Sequence, residues 1–191
     1  LAINNIEKGF PMRTRVILFL ICWIGFSGCA QIKFTLNYDP QSTEEISGGI
    51  KISDFGYFPN EGIKQNEIRE TAAGRIYLTE DVGTFFSNAT KREFSQSGIS
   101  LKGNCKLDGE VNEFLIDSLG WSSDYVTDVR YILYDGSGKT LLDNSYNVKF
   151  NTSKFVVVDI ILNNINKAVS DNIKQLLTDP AFLSNVQNSC Q

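Results

Sequence analysis

Histidine is absent from this 191-residue chain, and methionine occurs once. The missing imidazole excludes Ser-His and Cys-His catalytic arrangements, and it removes the commonest general base and the commonest zinc ligand. The chain also has no long basic run, and its net charge of −4 at pH 7 is acidic. Nucleic-acid binding needs a cationic surface, so we expect no nucleic-acid partner. These absences predict a protein that is not an enzyme and that uses no cofactor or catalytic metal.

The sequence pattern that predicts membrane attachment lies near the N-terminus. An uncharged apolar run at 16–26 has 11 residues, whereas a transmembrane helix needs about 20. Its length suits the apolar core of a secretory signal, and Arg13 and Arg15 supply the positive charge before it. Small residues at 27–28 and then Cys29 complete an order that resembles a bacterial lipobox. The lipobox implies a diacylglycerol thioether on Cys29, cleavage before this residue and acylation of the new amine. The alternative is a buried apolar segment with an ordinary cysteine.

This interpretation divides the chain into four parts. Residues 1–11 are an upstream extension without a role, and residues 12–28 are a lipoprotein signal peptide. Residues 29–46 form the lipidated N-terminus with the first strand, and residues 47–189 form a single periplasmic α+β domain. Two or more acyl chains would hold the protein on the membrane without a transmembrane helix. Because Ala30 rather than Asp follows the anchor, the lipobox comparison implies sorting to the outer membrane.

Hydrophobic periodicity predicts the elements of the domain. Strands are predicted near 32–38, 49–55, 75–78, 107–116, 125–134 and 141–150, where apolar and polar residues alternate or short apolar runs occur. Helical spacing predicts a helix after a Thr79 cap that ends at Gly98, a long helix at 154–177, and a short helix started by Asp179 and Pro180. The polar stretch 57–74 is predicted to be a surface loop. The expected fold class is α+β, with a mainly antiparallel sheet of about five strands and two helices on one face.

Two motifs that can carry chemistry have simpler explanations. The sequence GSGKT at 136–140 is similar to the end of a phosphate-binding loop, but Leu133 stands where that motif requires glycine, and a strand follows instead of a helix. We therefore predict a hairpin turn and no nucleotide. Asp108, Glu110 and Asn112 alternate along one strand, and paired carboxylates can hydrolyse glycosides. Alternating acids on a half-buried strand usually form its solvated face, so we assign no catalytic residue.

Four other residues are candidates for a covalent bond or a contact. Cys105 and Cys190 remain after the signal is removed, and two thiols in an oxidising compartment either form a disulfide or stay unpaired. Tyr57 and Phe58 stand beside Pro59 at the start of the predicted loop. They form either an exposed aromatic contact for a partner or part of the core beneath the loop.

The order of these segments resembles a known group of proteins. The lipobox is followed by IKISDF, EDVGTFFSNATKREFSQSGI, LDGEVNEFLID, DVRYILYDGSGKTL and ILNNINKAVSDNIKQLLTDPAFLSNVQN. Together they are similar to the YajG-type bacterial lipoproteins, which in turn resemble auxiliary lipoproteins of ABC-type transport systems. The resemblance implies a lipid-tethered, non-enzymatic α+β domain on the periplasmic face of the outer membrane, and it carries no catalytic residue.

The leading hypothesis is an envelope lipoprotein that binds a protein or lipid partner. An accessory lipoprotein of an ABC-type lipid transporter is an alternative, and it predicts an apolar groove between helix 154–177 and the sheet. A regulator of a peptidoglycan synthase predicts a partner enzyme and no groove. An envelope hydrolase predicts a cleft with at least two convergent carboxylates.

Overall fold

Residues 33–71, 75–154 and 157–190 are described by a computed structural model of the chain. These residues form eight strands and three helices: β1 (Lys33–Phe34), β2 (Gly49–Ile52), β3 (Gly56–Tyr57), β4 (Glu67–Glu70), β5 (Arg75–Leu78), α1 (Val82–Gln96), β6 (Ser100–Asp117), β7 (Ser122–Tyr134), β8 (Thr140–Ser153), α2 (Val158–Leu177) and α3 (Pro180–Ser189). Within the described part of the chain, no helix is long and apolar enough to cross a membrane. The predicted signal segment and Cys29 lie outside the described residues.

A long antiparallel meander of β6, β7 and β8 forms one side of the sheet, as the alternating sequence predicts. Inward side chains are buried along β7, where Tyr125, Val129 and Tyr131 face the core. A bulge near Asn112 interrupts the alternation of buried and exposed residues in β6. Val111 before the bulge and Phe114 after it are therefore both buried, although they are three residues apart.

The other side of the sheet corrects the prediction of a mainly antiparallel sheet with about five strands. The strands β2, β3 and β4 follow one another along one edge of β6 and are all parallel to it. The chain returns to β6 through α1, and a crossover of this kind places strands parallel. The outer strands are β5, antiparallel to β4, and β1, parallel to β5. Since β4 lies at Glu67–Glu70, the prediction of one continuous loop at 57–74 is wrong.

All three predicted helices are present and lie on one face of this sheet, whereas the expected fold class had only two helices there. Phe86 of α1 packs against Phe114 of β6, with ring centroids 5.4 Å apart. Asn172 of α2 accepts a hydrogen bond of 3.0 Å from the Tyr131 hydroxyl of β7. The third helix, α3, ends at Ser189, and its C-cap residue Cys190 is bonded to Cys105 of β6. The opposite face of the meander carries charged side chains that face solvent.

The ends of the helices show which local signals the sequence carries. The N-cap of α1 is Asp81 and not Thr79. Its C-terminal end follows the prediction, because Gly98 has a φ of +84° and the Ile99 amide donates to the Phe94 carbonyl oxygen at 2.9 Å. The Asp179 carboxylate caps α3 by accepting from the Ala181 and Phe182 amides, as expected for Asp followed by Pro.

A buried carboxylate connects the N-terminal segment to two helices. Glu93 of α1 is 1% exposed and accepts hydrogen bonds from the Tyr38 hydroxyl, the Gln41 and Ser42 amides, and the Ser170 hydroxyl of α2. Burial and this contact raise the pKa of Tyr38 well above its usual range, so the phenol stays a donor. The segment that leads from β1 is therefore fixed against the helical layer.

Cys105 and Cys190 form a disulfide across 85 residues, with Cα atoms 5.2 Å apart. Both cysteines are fully buried. The bond attaches the end of α3 to β6, and the neighbouring Gly49 amide donates to the Cys190 carbonyl oxygen at 3.0 Å.

We predict that the double variant Cys105→Ala/Cys190→Ala has a free energy of unfolding lower by about 2–4 kcal/mol, because the cross-link restricts the unfolded chain. Urea unfolding of the oxidised wild type and the variant measures this difference. Reduced wild type is the control and should resemble the variant. Equal midpoints for oxidised and reduced protein would show that the bond contributes nothing.

Candidate functional site

An apolar cavity of about 270 Å³ lies between the first turns of α2 and one end of the sheet. Its volume is close to the lower end of the range of small-molecule sites. The apolar side chains come from β1, β5, β6, β7 and α2: Phe34, Ile76, Ile116, Tyr125, Val158, Ile161, Leu162 and Ile165. Such a lining can hold a hydrocarbon chain through the hydrophobic effect.

The cavity exists because the two halves of α2 are buried to different extents. From Ile165 onward the helix presents fully buried side chains to the sheet, including Ala168 and Ile173. Before Ile165 the same stripe is partly open, since Ile161 and Leu162 are half-buried and Val158 is 52% exposed. Val158 stands seven residues before Ile165 and so shares its side of the helix, yet it is not buried.

Three charged side chains also line the cavity: Glu70, Arg75 and Lys154. The Lys154 ammonium donates to the carbonyl oxygens of Ser118 and Gly120 at 2.5 and 3.4 Å, and a third donor remains on an ammonium group. The Arg75 guanidinium is half-exposed and lies 3.5 Å from the Glu67 carboxylate. Two cations and one carboxylate therefore accompany an otherwise apolar lining.

Tyr125 is a buried aromatic residue in the lining of the cavity. Its ring stacks on Phe150 with centroids 5.2 Å apart. Burial raises the pKa of Tyr125, and the nearby Glu70 carboxylate adds to the effect. The phenol therefore stays neutral at physiological pH and adds no negative charge to the cavity. The arrangement suits an apolar chain with a polar or anionic end.

Several carboxylates on the opposite face of the sheet are held in ion pairs. Arg130 donates to Glu110 at 2.9 Å and to Asp143 at 2.7 Å, and Asp108 lies 2.9 Å from the Lys106 ammonium. The hydrogen bond from Arg130 lowers the pKa of Asp143. A general acid needs the opposite shift. Among the described residues, no group of three or more acidic or cysteine side chains is placed to hold a metal ion.

The GSGKT sequence forms the predicted hairpin turn between β7 and β8. The Asp135 carboxylate accepts the Ser137 and Lys139 amides at 2.8 and 3.0 Å. A phosphate-binding loop offers its backbone amides to the phosphate, whereas here an internal carboxylate occupies two of them. This geometry supports the interpretation as a turn.

The two aromatic candidates for a partner contact are separated by the structure. Tyr57 lies in β3, is 5% exposed, and donates its hydroxyl to the Glu67 carbonyl oxygen at 3.1 Å. Phe58 is 60% exposed. Only Phe58 of this pair therefore remains a candidate contact, and Tyr57 belongs to the core.

Sequence reasoning placed a possible groove along helix 154–177 but did not identify its walls. Phe34, Ile76 and Ile116 come from three separate strands, two of which have four residues or fewer. One feature of the sequence does indicate the site. The start of α2 has more apolar residues than one buried helix face requires, at 157, 158, 160, 161 and 162.

No protein-family model and no curated protein matches the chain. Among solved structures, protein XCC0632 from Xanthomonas campestris, of family model DUF330, aligns with a TM-score of 0.63 and 11% identity over 81% of this chain and 97% of that one. An uncharacterized protein aligns with a TM-score of 0.51 and 8% identity over 76% and 97%. Lipoprotein GNA1162 from Neisseria meningitidis, at 15% identity over 68% and 99%, has a TM-score of 0.32, too low to establish a common fold. The first two share the fold with this chain.

We predict different changes in the free energy of unfolding for substitutions of Tyr57 in β3 and of the adjacent Phe58. Tyr57→Phe should lower the free energy of unfolding by about 1 kcal/mol, since it removes a buried hydrogen bond. Phe58→Ser should change it by less than about 0.5 kcal/mol, because the ring is exposed. Urea unfolding of both variants provides the measurement. A larger loss for Phe58→Ser than for Tyr57→Phe would contradict this assignment.

Proposed function

We propose that this protein is a non-enzymatic lipoprotein of the bacterial envelope that binds the acyl chain of an amphiphilic lipid in its apolar cavity. Acyl chains on Cys29 anchor it to the periplasmic face of the outer membrane, as in the YajG-type lipoproteins. The observation that carries the proposal is the cavity between α2 and the sheet, with its apolar lining and the nearby ammonium of Lys154.

The position of the cavity favours lipid as the ligand. Phe34 lines the cavity and follows Cys29 by five residues. Five extended residues span at most about 18 Å. A protein anchored at Cys29 therefore keeps one wall of the cavity close to the bilayer, where lipid is the most concentrated apolar ligand.

The charges near the cavity favour an amphiphile over a plain hydrocarbon. Lys154 supplies a cation that donates to two carbonyl oxygens. The charge of Arg75 is offset by the Glu67 carboxylate 3.5 Å away, and Glu70 adds one carboxylate to the lining. A cation positioned in this way can bind an anionic headgroup while the chain lies among the apolar side chains.

This arrangement favours one of the alternatives raised by the sequence. An accessory lipoprotein of an ABC-type lipid transport system needs a groove for lipid, and the cavity lies where that hypothesis places it. The hypothesis of a peptidoglycan synthase regulator needs a partner enzyme but no groove, so the cavity gives it no support. We therefore retain lipid transport as the second, more specific candidate function.

The lipid anchor is tested by labelling cells with palmitate. We predict that the full-length chain is labelled and sediments with membranes. Cys29→Ala should not be labelled, because the Cys29 sulfur is where the diacylglyceryl group is attached. Mass spectrometry of the mature protein should find its N-terminus at Cys29. An unlabelled wild-type protein, or a mature N-terminus at another residue, would contradict the anchor.

The cavity is tested by crosslinking in intact cells. We predict that p-benzoylphenylalanine in place of Ile161 gives, on illumination, a protein adduct whose mass is increased by one lipid molecule. The matched control places the same crosslinker at Gln175, which is exposed at the far end of the same helix. It should give no lipid adduct.

Three other results would contradict lipid binding in the cavity. These are the absence of an adduct at Ile161, equal lipid adducts at both positions, and an intramolecular crosslink without added mass. If that crosslink joins residue 161 to the acyl groups of Cys29, the cavity holds the protein's own acyl chain instead of a second molecule.

A further inference from the structure

Exposed apolar side chains are concentrated at one end of the domain. Among the described residues, seven large hydrophobic side chains are exposed, and five of them belong to two short segments. The first segment is the turn between β6 and β7, and the second is the start of α2. We call these five side chains the apolar rim: Leu119, Trp121, Val157, Val158 and Ile160. Leu119, Trp121 and Val157 are 69%, 85% and 66% exposed.

The two segments of the apolar rim lie side by side. Lys154, just before α2, donates from its ammonium to the carbonyl oxygens of Ser118 and Gly120 in the β6–β7 turn. Ser118, Lys154 and Val158 also line the same cavity. The two segments therefore form one apolar surface beside the cavity, and Val158 of the rim belongs to the cavity lining.

We propose that the apolar rim inserts into the lipid bilayer that holds the acyl chains of Cys29, so that the cavity opens onto the membrane. This inference rests on the lipid anchor of the proposed function but not on the ligand of the cavity. The occupant of the surface is lipid, because the chain from Cys29 to Phe34 allows a separation of at most about 18 Å between the anchor and this end of the domain.

The composition of the rim fits the interfacial region of a membrane. Tryptophan has an amphipathic ring and is enriched at the level of the lipid headgroups. The Lys154 ammonium lies between the two segments and suits anionic lipid headgroups. Asp159 lies in the first turn of α2, and a carboxylate is costly in hydrocarbon. Insertion is therefore shallow, with the apolar side chains at the boundary between headgroups and acyl chains.

The sequence supplies its own probe for this inference. The chain has two tryptophans, Trp23 and Trp121, and cleavage before Cys29 removes the first. In the mature lipoprotein, tryptophan fluorescence therefore reports on Trp121 of the apolar rim alone. Mass spectrometry first establishes that the sample begins at a lipidated Cys29; if it does not, the proposed function fails before this inference is tested.

The experiment reconstitutes the mature lipoprotein into vesicles of phosphatidylethanolamine and phosphatidylglycerol, with and without lipids brominated near the headgroup end of their chains. We expect brominated lipid to quench Trp121 and aqueous iodide to quench it little. The variant Val157→Asp/Ile160→Asp should lose the quenching by brominated lipid, because both side chains are exposed and the charges oppose insertion without disturbing the core.

Leu101→Asp is the matched control. Leu101 is also an exposed apolar residue, but it lies at the opposite end of β6 from Ser118, roughly 50 Å away along an extended strand. This variant should keep the wild-type quenching. Strong iodide quenching without quenching by brominated lipid would overturn the inference. Protection from both quenchers, together with a dimer in crosslinking, would also overturn it by showing that a second copy covers the rim.

Discussion

The hydrogen bonds of Asn172 fix the long helix α2 on the sheet, and the rest of the structure depends on this contact. The fully buried Asn172 amide donates to the Thr127 hydroxyl at 3.2 Å and to the Tyr146 carbonyl oxygen at 2.8 Å, and its oxygen accepts from the Tyr131 hydroxyl. The Asn172 amide can make all three hydrogen bonds only when α2 lies at one position along the sheet, and a buried polar group without partners is costly. The second half of α2 is therefore held close to β7 and β8, while its first turns extend over the cavity.

The remaining connections fix the frame around this opening. The disulfide of Cys105 and Cys190 attaches α3 to β6, and the Glu93 carboxylate joins the N-terminal segment to α1 and α2. The central and distal parts of the domain are thus densely connected. The cavity and the apolar rim lie at the end nearest to β1, which is also the end nearest in sequence to Cys29, the proposed anchor. The domain therefore has one closed end and one open, apolar end, and the proposed lipid binding depends on the open end.

The sequence predicts the parts of the fold whose signals are local and long. The strands β6 to β8 alternate over more than ten residues each, and Gly98 and Asp179 mark helix ends through their own backbone and side-chain chemistry. Of the three short strands parallel to β6, the sequence predicts β2 but not β3 and β4, because β3 has two residues and β4 has four, too few to show a period. Their hydrogen-bond partners lie in β6, which is distant in sequence.

The candidate site was predicted only as a location. A helical stripe shows which residues share a face, but it does not show where the opposing sheet ends. Val158 and Ile165 have the same place in the pattern, yet one is half-exposed and the other is fully buried, because the walls at Phe34 and Ile76 leave space between them and the helix. Similarly, the adjacent Tyr57 and Phe58 have opposite environments because one lies in a strand and the next does not.

The central claim is that the opening at the start of α2 contains lipid. The most direct test is native mass spectrometry of the mature protein released from the membranes of its own cell in a mild detergent, followed by identification of any ligand released on unfolding. The account predicts one amphiphilic lipid bound per protein molecule, in addition to the acyl chains on Cys29. A lipidated protein that carries no such ligand across several extractions, or that releases a water-soluble one, would contradict it.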